Sequence, residues 1–154
     1  MIVDKKNYSI ECFTDSFVVE TDNDKLGSMR SAHLDHSLNF VSEDGEFLEF
    51  GVYKAGSTNQ IAKRFPHKTI HGFDSFEGLP EDWVTRNREV KWPDKIKHIK
   101  GKFALDNLPP VESNVKLWKG WFDQTLPKYI KAVNPSKVSF LHVDGDLYSS
   151  AKTV

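Results

Sequence analysis

The stretch EFLEFGVYKAGST, Glu46 to Thr58, decides how the rest of the chain is read. EFLEF is a short apolar-rich strand, and the GVYKAGS behind it has two glycines five positions apart followed by hydroxyls. From Ser57 to Phe65 the chain reads as a helix, stopped by Pro66. A strand, a glycine loop and a helix in that order form a turn built for close approach by a ligand. Nucleoside triphosphates, dinucleotides and S-adenosylmethionine all bind at turns of this kind.

Outward from that unit the alternation continues. KTIHGFD (68–74) is a second strand, closed by the polar loop SFEGLPEDW, and VKLWKG (115–120) is a third. Asp123 to Val133 reads as a helix with Pro127 in its first turns, and Asn134-Pro135-Ser136 turns the chain into KVSFLHVD (137–144), the strongest strand of all. Asp146 to Val154 begins another helix. Upstream, Leu26, Met29, Leu34, Leu38 and Val41 recur at roughly helical spacing, with Asp22 or Asn23 as cap and Ser42-Glu43-Asp44-Gly45 as stop. Residues 84–114, charged and broken by Pro93, Pro109 and Pro110, show no clear period.

The expected class is α/β: a Rossmann-like, doubly wound, mainly parallel sheet flanked by helices and incomplete at its C-terminal side. Residues 1–45 read as an N-terminal arm and helix, and 46–154 as the ligand-binding domain. The sequence stops a few residues into a helix, directly after its best strand, which is therefore expected at a sheet edge. A fragment of a longer protein fits that ending best; otherwise a partner or a second copy covers the edge.

With 154 residues, of which 38% are hydrophobic and 28% charged, the chain suits one globular domain rather than a disordered segment. A net charge of −1 gives no field that would draw it to nucleic acid or to an anionic membrane. The single cysteine, Cys12, excludes an internal disulfide framework, and MIVDKKNYSIECF lacks the apolar core of a signal peptide. A cytoplasmic protein is expected.

The loop residues then weigh the ligands. A P-loop needs a lysine after its second glycine, and here Ser57 stands in that place, with Lys54 inside the loop instead. A dinucleotide loop needs a glycine where this chain has Tyr53, whose bulk obstructs a pyrophosphate. S-adenosylmethionine asks for a carboxylate near its ammonium group, small residues beside the methionyl tail and an acid for its ribose. Glu49 ends the first strand, and Asp74 ends the second, about 20 residues past the glycine loop, as a ribose-binding acid should. Gly51 and Gly56 offer backbone to the methionyl part, and Ser57 is either a contact or a helix cap. Ser75 and Phe76 follow Asp74 toward the adenosine, while Trp121 either packs on the adenine or belongs to the core.

Four blocks, EFGVYKAGS, IHGFDSFEGLPEDW, KGWFDQTLP and FLHVDGDLYSSAKTV, together resemble the macrocin O-methyltransferase family over roughly residues 46–154. The resemblance implies a class I S-adenosylmethionine-dependent methyltransferase acting on hydroxyls of sugars or sugar-bearing small molecules. It also implies that Asp144 is a ligand for a catalytic magnesium, whose other acidic ligands fall after a further strand. Asp146, two residues on, is a second candidate for the metal or a cap for the last helix. His142 shares a strand face with Asp144 and is either a general base or metal neighbour, or a buried structural histidine. His33 and His36 have i, i+3 spacing without an evident third ligand. The Lys and Arg residues at 86–102 form either a loop that greets an acidic or sugar acceptor or a solvated surface, and Trp83 and Trp92 in the same region are candidate walls of an acceptor pocket. The rival reading is a non-catalytic nucleotide-binding remnant, or an interaction module whose exposed strand pairs with a partner chain.

Overall fold

The computed structural model describes residues 23–82 and 100–154. The expected arm at 1–22, Cys12, Trp83, Trp92 and the basic stretch at 86–99 lie outside the described residues. The chain falls into two units, Met1–Phe40 and Val41–Val154.

In the first unit, α1 (Asn23–Leu38) ends before Val41, shorter than its apolar spacing suggests. Asn39 N donates to His36 O and Phe40 N to Ser37 O, so the last turn tightens into i→i+3 bonds and closes.

In the second unit, β1 (Glu46–Phe50), β2 (Ile70–Asp74), β3 (Val115–Lys119) and β4 (Val138–Val143) form one parallel sheet in the order β3-β2-β1-β4. The expected α/β class with a parallel sheet is the one observed. Helix α2 (Gly56–Arg64) joins β1 to β2, α3 (Phe122–Val133) joins β3 to β4, and α4 (Tyr148–Thr153) follows β4. Asn134 ends α3 in the left-handed conformation that asparagine tolerates, with Pro135 directly after it.

Alternation along the strands sorts side chains onto two faces. On the α3 face the register sets Phe50 beside Phe73 and Phe73 beside Trp118. Their rings stack at 4.5 and 6.0 Å, and Tyr129 of α3 meets Phe73 and Trp118 edge-on. Such pairs add about 0.5–1.5 kcal/mol each beyond the area they bury. On the other face Phe47 packs on Phe65, beside the buried Ile61 and Ala62 of α2. A Cβ on Gly72 would stand 2.8 Å from Val52 Cγ2, so only glycine leaves room for the loop after β1.

β4 is an outer strand, as its place in the sequence suggests, and Val138, Leu141 and Val143 on it are exposed. Its base is tied to β1 through Asp44, which accepts from Ser42, Ser139 and Lys137. The bond from Lys137, with those from the hydroxyls, holds the Asp44 carboxyl well below the usual carboxylate range. Among the described residues no helix is long and apolar enough to cross a membrane.

Candidate functional site

Parallel strands deliver all their C-terminal ends to one sheet edge, and the strand order reverses between β1 and β4. The ladder runs on past each strand: Gly51 N donates to Phe73 O, Gly120 N to Asp74 O and Asp144 N to Phe50 O. These loops surround a cavity of about 360 Å³, within the range of small-molecule sites. It is lined by Gly51 after β1, Asp74 and Ser75 after β2, Trp121 after β3, and Asp144 and Asp146 after β4.

The glycine loop is wound by left-handed residues. Gly51, Tyr53 and Ala55 have φ of 98, 48 and 62°. A Cβ on Gly51 would lie 2.2 Å from Asp144 O, so this glycine is required both by φ and by the close pass of β4. Gly56 differs: a Cβ there meets nothing within 4 Å, and it opens α2 behind an Ala55 cap that has no side-chain bond. Ser57 is the second residue of that helix and lies outside the cavity lining, as does Gly56.

Asp74 is the organiser of the site. Its Oδ2 accepts from Val52 N at 2.9 Å and Tyr53 N at 2.8 Å, and its Oδ1 from Phe76 N at 2.7 Å. One carboxylate therefore fixes the loops after both β1 and β2. A carboxylate has about four lone-pair sites, so capacity for a ligand hydroxyl remains. Ser75, 4% exposed, takes Glu77 N on its hydroxyl and shapes the same turn.

Glu49 is placed differently from the acids of the cavity. It is 0% exposed, lies outside the lining, and receives Thr58 Oγ1 on one oxygen and His142 Nδ1, at 2.8 Å, on the other. The register of β1 and β4 sets Glu49 opposite His142, which explains the pair. That bond holds the His142 imidazole above its usual range, against the pull of burial, with the charges of Glu49 and Asp144 adding to it. His142 is also absent from the cavity lining, as is Phe76, which is buried with Val52 and Ala55. His33 and His36 are exposed on α1, and the His36 ring packs edge-on against Phe40.

The cavity has a composition the sequence did not disclose. Asp74, Asp123, Asp144 and Asp146 line it, and no Lys, Arg or His among the described residues does. Tyr53, Leu79, Pro80 and Phe103 give it an apolar wall, and Ser149 and Ser150 contribute hydroxyls. Ser149 and Ser150 stood in a block already singled out; Phe103 comes from the aperiodic stretch and carried no signal. Among the described residues no three His, Cys, Asp or Glu side chains converge as metal ligands do.

Comparisons with known proteins agree with this fold. In solved structures the chain is similar to CalS11, a calicheamicin methyltransferase, with 22% identity and a TM-score of 0.61 over 86% of this chain. It is also similar to the O-methyltransferase NovP, with 22% identity, a TM-score of 0.47 and 80% coverage. The matched region spans 59% of the CalS11 chain and 56% of the NovP chain. A search of curated proteins gives no match. The macrocin-O-methyltransferase (TylF) family profile matches residues 21–154, which include every described residue of the fold and the cavity, and the chain belongs to that family.

Proposed function

We propose that the chain is the cofactor-binding part of an S-adenosylmethionine-dependent O-methyltransferase acting on a hydroxyl of a sugar-bearing small molecule. In this reading residues 46–154 form the cofactor domain, residues 1–45 its arm and helix, and the protein works in the cytoplasm. The observation that carries it is the charge of the cavity: four carboxylates and, among the described residues, no basic side chain. Such a wall repels phosphates, which disfavours ATP and NAD, and it attracts a ligand bearing sulfonium and ammonium groups.

The residues present fit that cofactor. Asp74 accepts from one ribose hydroxyl, Gly51 gives backbone to the methionyl part, and Ser75 and Trp121 flank the adenosine. Glu49, Gly56 and Ser57 support the loop from behind in this reading. When bound, the cofactor supplies a methyl carbon on sulfur, which an acceptor oxygen takes in a direct displacement that leaves a neutral thioether. The chain's own task is alignment of oxygen, carbon and sulfur. Asp144 orients the acceptor hydroxyl, and His142 of β4, held by Glu49 of β1, keeps that strand end in place. Magnesium lacks such support: Asp144 and Asp146 would need further ligands that the described residues do not bring near.

Calorimetric titration with S-adenosylhomocysteine, beside ATP and NAD, tests the reading on folded protein. Saturable binding of S-adenosylhomocysteine alone, lost in Asp74→Ala, is expected. Silence toward it, or binding of ATP instead, would sink the proposal. The exposed apolar residues of β4 favour a second reading, a module that pairs this strand with a partner or a second copy; concentration-dependent mass by light scattering would bring it forward.

A further inference from the structure

The cofactor reading leaves the aromatic wall of the cavity without a task. Tyr53 is 38% exposed and Phe103 half-buried, both line the cavity, and their rings meet edge-to-face at 5.3 Å and 74°. Each is mounted at a cost. Tyr53 has φ 48° and Phe103 φ 70°, a region that bulky residues avoid. Separate clamps hold them there. Tyr53 N is bonded to Asp74, while the turn bearing Phe103 is tied to the β2 loop through Leu79 N to Lys102 O, Gly101 N to Leu79 O and Leu105 N to Phe76 O. Lys54 and Lys102 each sit 5.3 Å over one of the rings.

Two rigidly mounted aromatic rings at the edge of a cavity form a recognition surface. Because the rings stand edge-to-face, there is no parallel slot between them for a planar base. They present a corner instead, one ring's face beside the other's edge. The C–H bonds along one side of a pyranose ring carry partial positive charge and suit the negative face of an aromatic ring.

We propose that Tyr53 and Phe103 form a shelf on which a pyranose ring of the acceptor rests, making them specificity-determining residues of the transfer. The shelf rests on the methyltransferase reading above, which assigns Gly51, Asp74, Ser75 and Trp121 of the same cavity to the cofactor.

The test uses saturation-transfer NMR on the full chain with methyl glucopyranoside and methyl rhamnopyranoside as probes, with and without S-adenosylhomocysteine. Tyr53→Asn and Phe103→Asn remove the rings while keeping a residue that accepts left-handed φ; Tyr53→Phe keeps the ring. Transfer to the sugar C–H protons is expected in the parent and in Tyr53→Phe. Each Asn variant should weaken it about tenfold while S-adenosylhomocysteine affinity stays within about threefold, as expected for one lost aromatic contact. No glycoside contact in the parent, or contact unchanged in folded Asn variants, overturns the shelf. Loss of S-adenosylhomocysteine affinity in those variants, with glycoside contact kept, also overturns it and makes the pair an adenine platform. If the parent binds glycosides through the two rings but never S-adenosylhomocysteine, the sugar contact stands and the methyltransferase reading falls.

Discussion

β2 (IHGFD) and the end of β4 with the residue after it (FLHVD) are written in nearly the same letters, an apolar run with one histidine and a closing aspartate. Their fates differ. Ile70, His71, Gly72 and Phe73 are all buried, because β2 has a neighbour on each side and helices over both faces. On β4, Val138, Leu141 and Val143 are exposed, because only β1 lies beside it among the described residues. His71 on β2 accepts from Trp118 Nε1 on Nδ1 at 3.1 Å, and burial holds its imidazole below the usual range. His142 on β4 lies against Glu49, and its imidazole is held above that range. Composition assigns both segments to strands; position in the sheet decides what each side chain is worth.

The widest gap should come from the apolar residues. Phe73→Ala empties the stacked row between Phe50 and Trp118 and is expected to cost about 3–5 kcal/mol in urea unfolding. Leu141→Ala, on a side chain 51% exposed, should stay below about 1 kcal/mol. Equal losses would break the contrast. The glycines give the next largest effect. Gly51→Ala forces a Cβ against Asp144 O at φ 98° and should cost about 2 kcal/mol or more, whereas Gly56→Ala should be neutral or stabilising by up to about 1 kcal/mol.

Smaller again is the link between centre and edge. Thr58→Val leaves one oxygen of the buried Glu49 without its hydroxyl donor and should cost about 1–2 kcal/mol. The same change should shift the His142 imidazole resonances and leave those of His71 still. The histidines themselves give the finest test. His71 is harder to protonate folded than unfolded, so its site costs stability at low pH and recovers as pH rises to 6.5. His142 is easier to protonate folded, so its contribution is full below 6.5 and is lost as pH rises through its elevated folded value. NMR titration should therefore place His71 below 6.5 and His142 above it; the reverse order would undo the comparison.

Much of this was legible beforehand. β1 runs from Glu46 to Phe50 as its apolar letters and flanking Gly45 and Gly51 indicate, and β2, β3 and β4 fall within the runs that suggested them. Gly51, Asp74, Ser75, Trp121, Asp144 and Asp146 meet at one cavity because each ends or follows a parallel strand, a position a linear reading can find. Glu49 shows the limit. Its place at a strand end is local information, but its partners come from the first turn of α2 and from β4 across the register. Phe103 was invisible for a different reason: backbone bonds to the β2 loop hold it, and such bonds leave no periodic trace.

Asp74 grips Val52, Tyr53 and Phe76 by their amides rather than by their side chains. Every residue but proline carries that amide, so the grip fixes no side chain; Val52 and Phe76 are kept by the core they are buried in, and the exposed Tyr53 is the position left to drift. Descendants of this sequence should diverge at 53, exclude proline at 52, 53 and 76, and keep the aspartate. Drift at 53 would then retune the acceptor wall without loosening the loop that carries it.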